Sequence, residues 1–423
     1  MIKSFDGRRE VILSANVSHY QYLARALESA GLLKTYVTSI SLFEDEPIPH
    51  LLSRYWSKKL EGRRLQGISA AKVRRLWLPE ALQRGLPALG FSPERANWVN
   101  NNLFDRMAAR LVDRCSVFHF VSSIGLYSAR KAKSLGATIV CDVRQGHPIV
   151  VKNILQSEAK AIGVKCDIAG LSYESRLLQE FEIADYLVVP SSATKATFVT
   201  AGFPEDRMFV VPYGADLSHF RKRERTDNVF RILYVGQLTL GKGIQYLLQA
   251  VAGLNLKGAE FLVIGQIDPA VGPLLRQWKG TFRHIGSVPK IELAGYYSNS
   301  SVLVLPSLVE AFGMVVLEAM ACGVPVIVSS EVGAKEVFSN GVEGFVVPSR
   351  DVGAIKERIR LLYEDNAVRA RMSAAAIRCA QGLTWEAYGE RIRRFYMAIG
   401  GRKHKPEPPE ARTGSTEMRN RMS

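Results

Sequence analysis

The sequence predicts an α/β protein built from two consecutive doubly wound, parallel-sheet domains. Its 423 residues exceed the ~250–300 that one hydrophobic core serves. Short, continuous apolar runs alternate with helix-forming stretches along most of its length, as expected of parallel strands buried on both faces. A charged segment without hydrophobic periodicity, RKRERTDNV at 221–229, divides two such series and reads as a linker.

In the first series Val11–Ser14 is a strand and 20–30 a helix ended by Gly31. Residues 106–114 read as helix, Val117–Val121 as strand, 124–133 as helix and Thr138–Asp142 as strand. Leu171–Ile183 is a long helix, Tyr186–Val189 a buried strand, 193–200 a helix closed by Gly202, and 208–211 a strand. The second series runs strand 231–235, helix 244–253, strand 260–264, helix 291–299 and strand 301–305. LPSLVEAFGMVVLEAMACGVPVIVS follows at 305–329. Pro306 and Ser307 break the strand, and a helix runs over 314–322 until Gly323 and Pro325 stop it. A further strand is expected at 324–328. The polar, proline-containing 401–423 is expected to be disordered. The expected domains are 1–220, completed by a returning helix at 384–399, and 230–383.

Hydrophobic content of 47% suits a packed globular protein. Five cysteines, odd in number and without paired metal spacing, favour reduced thiols in a cytoplasmic setting. No apolar run approaches the ~18 residues of a membrane span, and the N-terminus lacks a signal-peptide core. The net charge is +16, and residues 1–150 hold 22 Lys or Arg against 12 Asp or Glu. Within 54–75 eight cations face one acid, Glu61, with Tyr55, Trp56, Leu60 and Leu65 interleaved. Such a surface suits the inner face of an anionic membrane or a polyanionic acceptor, or is simply a solvated basic face. No nucleic-acid recognition module is present, so no nucleic-acid partner is expected.

Chemistry concentrates in 305–329. Glu310 falls in a loop beyond a strand, Gly313 at a helix entrance and Glu318 inside that helix. Ligands of open parallel sheets lie beyond the carboxyl ends of strands, and a helix N-terminus opened by glycine favours a phosphate. Eight helical steps cover ~12 Å, so the two carboxylates reach opposite ends of one elongated ligand. Isolated, Glu-x7-Glu would describe two ordinary surface residues. A second loop, GQLTLGKG, places Lys242 among Gly236, Gly241 and Gly243 between a strand and a helix. Lysine supplies a point charge for a pyrophosphate, but the Walker spacing is absent.

LPSLVEAFGMVVLEAMACGVPVI resembles the donor-site signature of retaining glycosyltransferases of family four, which have the GT-B fold. YVGQLTLGKGIQYLLQA (234–250) is similar to that family's glycine-loop and lysine segment. FEIADYLVVPSSATKATFVTAGFPEDRMFVVPYGADLSHF (181–220) resembles its domain crossover, and TWEAYGERIRRFY (384–396) its closing helix. The resemblance covers roughly residues 10–399 and implies two Rossmann-like domains facing across a cleft. It implies that Glu318 accepts hydrogen bonds from ribose and Glu310 from the transferred sugar. Phe312, Gly313 and Met314 would hold the diphosphate or sugar through their amides, Lys242 would stabilise the leaving diphosphate, and His147 would contact the sugar. Ser287 and Val288 match the segment that contacts the base. Gln237, after Gly236, stands where that family usually carries arginine. Asn16 and His19, in a first loop without the usual glycine pair, are acceptor-side candidates by position.

The expected reaction is retaining transfer of a sugar from a nucleotide-sugar donor to an acceptor hydroxyl, on a glycan or lipid-linked glycan. No cofactor is expected, and no metal, because Asp-x-Asp and ligand-spaced clusters are missing. An epimerase on the same fold and a non-catalytic nucleotide-sugar binder are the rivals.

Overall fold

The computed structural model describes residues 9–47, 63–164 and 171–399. Among the described residues nine strands belong to the first half, and seven of them make one sheet. These are β1 (Val11–Ser14), β2 (Leu33–Thr38), β5 (Val73–Arg75), β6 (Val117–Val121), β7 (Thr138–Asp142), β8 (Tyr186–Val189) and β9 (Met208–Val210), in the order β5-β2-β1-β6-β7-β8-β9. The short β3 (Leu42–Phe43) and β4 (Arg64–Leu65) pair separately. The second sheet contains β10 (Phe230–Val235), β11 (Ala259–Ile264), β12 (Arg283–Ile285), β13 (Val302–Leu305), β14 (Val326–Ser329) and β15 (Gly344–Val347), in the order β12-β11-β10-β13-β14-β15. Each pairing within the two sheets is parallel.

The central strands β1, β6, β10, β13 and β14 carry no polar side chain facing water: their residues are buried throughout. Burying a strand on both faces removes the alternation of a half-exposed one, which is why these strands read as solid apolar runs. Both sheets reverse strand order once, between β1 and β6 and between β10 and β13. Loops leaving the carboxyl ends of those strands diverge and leave a crevice there.

Several expected elements change extent. The helix expected at 106–114 runs over Pro93–Leu111 instead. Ser92 caps it, accepting from the Arg95 amide at 3.3 Å, and Pro93 occupies its first turn, a favourable start that the polar sequence beyond it conceals. The strand expected at 324–328 is Val326–Ser329, because Pro325 has no N–H and offers only its carbonyl, which accepts from Leu303 at 3.0 Å. Strands β2, β5, β12 and β15 and the helices Trp77–Gly85, Pro148–Ala161, Val352–Glu364 and Asn366–Gln381 were not anticipated.

The helix Trp385–Ile399 packs back on Tyr20–Ser29 of the first half. Its Tyr388 donates to the buried Asp142 carboxylate at 2.7 Å, and Tyr396 meets the His119 ring nitrogen at 2.6 Å. Of the basic stretch 54–75, residues 54–62 lie outside the described residues, as does the tail 401–423. The described cations of that stretch make contacts within the chain. Arg63 pairs with Glu80, Lys72 with Glu28 and Arg75 with Glu46, while the Arg64 guanidinium donates to the carbonyls of Phe43, Glu44 and Glu46. No helix among the described residues is long and apolar enough to cross a membrane.

Candidate functional site

Lys242 and Glu310 come from the two loops that leave the second sheet where its strand order reverses. Strand β10 is followed by the loop and short turn that carry Lys242, and β13 by Pro306 to Glu310. The two loops are fastened together. Leu308 donates its N–H to the Gly241 carbonyl at 2.8 Å. Gly243, at φ +65°, lies so close to Pro306 that a Cβ would stand 2.0 Å from that carbonyl oxygen. This stitching brings the Lys242 ammonium onto the Glu310 carboxylate as an ion pair. The Ser307 hydroxyl adds a 3.4 Å contact to the same oxygen.

The pair faces a cavity of about 660 Å³ between the two halves. From the second half it is lined by Thr239 to Lys242, Asp268, Ala270 and Val309 to Ala311; from the first by Arg144 to Gly146, Pro148, Val151, Lys152, Leu155 and Glu174. Its size falls within the ~300–1,000 Å³ of small-molecule sites. Gly313 has φ +93°, a conformation glycine adopts without a Cβ penalty, and opens the helix Met314–Ala321. The first amides of that helix have no intrahelical acceptor. Phe312 is buried, edge-on to Tyr213 at 5.5 Å, and its carbonyl accepts from the Ala334 amide.

Contacts from the first half close over this loop. Ser191 and Thr194 both donate to the Ala311 carbonyl, at 2.6 and 3.0 Å, and the Glu336 carboxylate accepts from the Ser192 and Ala193 amides. On the other flank Glu158, buried in the helix Pro148–Ala161, takes hydrogen bonds from Gln245, Tyr246 and Arg350 of the second half at 3.0, 2.5 and 2.8 Å.

Other expected residues lie elsewhere. Glu318 is 5% exposed and does not line the cavity. The Tyr297 hydroxyl donates to it at 3.0 Å and the Lys290 ammonium sits 3.3 Å away. Burial pushes its carboxyl up, only partly offset by Lys290. His147 also stays out of the cavity. It precedes the helix Pro148–Ala161 with its ring edge-on to Phe198 at 5.2 Å and tilted against Phe181, and its amide donates to Thr197 at 2.8 Å. Burial lowers its pKa. Arg144, three residues earlier in that loop, is the group that reaches the cleft, and sequence reasoning missed it.

Gly236 follows β10, and the exposed Gln237 accepts through its carbonyl from the Tyr234 hydroxyl at 3.0 Å. Ser287 and Val288 follow the edge strand β12, Ser287 receiving a hydrogen bond from Gln266 at 3.0 Å. Asn16 lines a second cavity in the first half. His19 stacks on Trp385 at 5.1 Å, with its Nε2 buried and unpaired among the described residues. Burial pushes its pKa from 6.5 down to about 3. The folded chain thus keeps His19 neutral while the unfolded chain takes up a proton below about 6.5. Its contribution is complete above that value and is lost progressively as pH falls toward 3. Replacing His19 by Gln should flatten the decline of Tm between pH 7 and 4 in a thermal melt; an unchanged decline would place the titrating group elsewhere. No group of three or more His, Cys, Asp or Glu among the described residues could hold a metal ion.

Residues 217–378 match the family model described as glycosyl transferases group 1. A D-inositol 3-phosphate glycosyltransferase of Catenulispora acidiphila is 29% identical over 316 residues, 68% of this chain and 73% of that protein. One from Kribbella flavida is 36% identical over 240 residues, 50% of this chain and 57% of that protein. Among solved structures, a sucrose-phosphate synthase from Thermosynechococcus elongatus superposes with a TM-score of 0.66 at 22% identity, covering 93% of this chain and 100% of that one. HepE of Anabaena, in complex with UDP and glucose, gives 0.62 at 15% identity over 92% of this chain and 100% of its own. Fold, family match and curated relatives together support a glycosyltransferase of GT-B architecture.

Proposed function

We propose that this chain is a retaining glycosyltransferase, of the family-four kind its motifs resemble. It moves a sugar from a nucleoside diphosphate donor to an acceptor hydroxyl. The observation that carries this reading is the Lys242–Glu310 pair at the strand-order reversal of the second sheet, facing a cavity walled by both halves. In the reaction the bond from the anomeric carbon to the diphosphate oxygen breaks, and the acceptor oxygen bonds to the same face of that carbon. The acceptor proton passes to the departing phosphate oxygen. Lys242 meets the negative charge that grows on the diphosphate, where a fixed cation stabilises the transition state more than the ground state. Glu310 holds the ammonium in place and is within reach of a sugar hydroxyl. The amides of Phe312, Gly313 and Met314 add donors at the helix entrance. Lys290 covers Glu318 in this state, so ribose reaches that carboxylate only if the exposed lysine side chain swings aside. The reading requires no metal and no cofactor, and it places the chain in the cytoplasm.

The curated relatives are named for transfer to D-inositol 3-phosphate, which makes that compound the competing acceptor. The cavity of the first half is lined by Arg63, Arg95 and Arg144 as well as Glu80 and Glu94, and a glycan, free or lipid-linked, is the acceptor set against that compound. If the lipid-linked form is used at an anionic surface, the chain should co-sediment with phosphatidylglycerol vesicles at low salt and leave them as salt rises.

A panel of nucleotide sugars and free diphosphates tested by thermal melting identifies the donor. A ligand at one hundred times its Kd stabilises the folded state by ~2.7 kcal/mol. Stabilisation by one nucleoside diphosphate sugar, lost in Lys242→Ala, is expected; no shift with any of them removes the proposal.

A further inference from the structure

We infer that Arg144 is the cation with which the first half meets the donor diphosphate, so that the leaving group is held from both sides of the cleft, by Lys242 on one and Arg144 on the other. This deepens the glycosyl-transfer reading and rests on it.

The charges around the cavity of about 660 Å³ call for such a group. Lys242 is paired with Glu310, and Lys152 with Glu174 at 3.3 Å. Glu94 and Asp268 add two further carboxylates to the lining. Arg144 lines the same cavity and forms no ion pair with a carboxylate among the described residues. A diphosphate gains negative charge as its bond to the sugar breaks, and a cation already neutralised by a carboxylate meets that charge poorly. A guanidinium without a carboxylate partner is always charged, and its planar fork matches phosphate oxygens.

The direction of this side chain is set before any ligand arrives. Arg144 lies two residues beyond β7, in the loop that enters the helix Pro148–Ala161. Its Nη2 donates to the Ser122 carbonyl and the Ser123 hydroxyl at 3.3 and 3.0 Å, and its amide meets the Ser122 hydroxyl at 3.4 Å. Ser123 has φ +83°, a left-handed conformation uncommon for a residue with a side chain. Such a conformation persists where the surroundings over-determine it, as they do here. The buried Glu180 carboxylate accepts from the Ser123 and Gly125 amides, and Arg176 Nε donates to the Ser123 carbonyl at 3.0 Å. Nη2 spends its protons on this loop, whereas Nη1 donates to nothing among the described residues and the buried Nε has no partner among them. A guanidinium held in this way reorganises little when charge develops beside it, which is the condition for stabilising a transition state.

Arg144 also borders the cavity of the first half, so a phosphorylated acceptor is the rival source of the anion. Calorimetric titration of the full chain with UDP, GDP and ADP, each against its own monophosphate, separates the two, with D-inositol 3-phosphate as the acceptor-type anion. The β-phosphate is the one bonded to the transferred sugar, so the diphosphate that binds the wild type should bind Arg144→Gln at least about tenfold more weakly, while its monophosphate loses less than about threefold. Arg144→Lys should recover part of the loss. In the wild type, phenylglyoxal modification of Arg144, followed by peptide mass spectrometry, should be slowed by that diphosphate and not by its monophosphate. This measurement decides the matter even if both variants fail to fold. The inference is overturned if Arg144→Gln keeps the diphosphate affinity, if monophosphate and diphosphate weaken equally, or if only D-inositol 3-phosphate protects Arg144. A wild type that binds no diphosphate removes the glycosyl-transfer reading and this inference with it. A diphosphate bound equally by wild type and Arg144→Gln leaves that reading standing and removes this inference alone.

Discussion

Lys242→Ala should lower sugar transfer by ~10²–10³-fold, the scale seen when one fixed stabiliser of developing negative charge is removed. The same variant should weaken binding of the free diphosphate, because the ammonium also meets the product. Glu310→Gln should behave differently. It keeps the shape of the side chain but ends the ion pair with Lys242, freeing the ammonium for phosphate. Transfer should fall at least tenfold, equivalent to ~1.4 kcal/mol, while affinity for the diphosphate holds or rises. Separate measurement of kcat and of the diphosphate Kd distinguishes the two roles. If both variants turned over like wild type, the chemistry would have been assigned to the wrong pair. Lys242→Arg should recover only part of the loss, since a planar guanidinium does not replace a compact point charge in a tight loop.

Gly243→Ala should be the most damaging change to the fold of the site. Two separate costs meet at this residue. Its φ of +65° is a left-handed conformation that costs an L-residue roughly 1–2 kcal/mol. A methyl group would also stand 2.0 Å from the Pro306 carbonyl oxygen, and backbone on both sides leaves no soft atom to yield. Gly258 separates the two costs, since it has φ +68° with nothing within 4 Å of its missing Cβ. Gly258→Ala should lower stability by ~1 kcal/mol in urea unfolding, and Gly243→Ala by at least ~3 kcal/mol. It should also reduce transfer, because the loops that juxtapose Lys242 and Glu310 are pushed apart. Equal losses in the two variants would mean that the Pro306 contact does not constrain the site.

The residues that were legible in the sequence are those whose side-chain chemistry and local structure coincide. Lys242 sits in a turn that only glycines permit, and Glu310 follows a strand with no polar side chain, so each announces itself within ten residues. Strands such as β13 were legible because complete burial leaves an unbroken apolar run. His147 shows the limit. Its loop does leave a strand of the first sheet, but Phe181 and Phe198, which hold the ring, arrive from helices more distant in sequence. Nothing near residue 147 announces them. For the same reason Arg144 was overlooked: its direction is set by Ser122 and Ser123 on a different strand's loop. Glu318 was legible as a helical position, but its burial was not, and the Lys290 that covers it comes from the helix Lys290–Ser298. The helix Pro93–Leu111 extends beyond its expected bounds because WVNNN interrupts its apolar pattern without ending it.

The return of Trp385–Ile399 onto the first half has a consequence for biosynthesis. Asp142 and His119 are buried by tyrosines that the ribosome adds some 250 residues later. The first sheet cannot seal its interior while the nascent chain is still being extended, whereas everything the second sheet needs has emerged by residue 381. Synthesis from the amino end therefore delivers the later half complete first, and the earlier half waits, partly open, for the last helix to leave the exit tunnel.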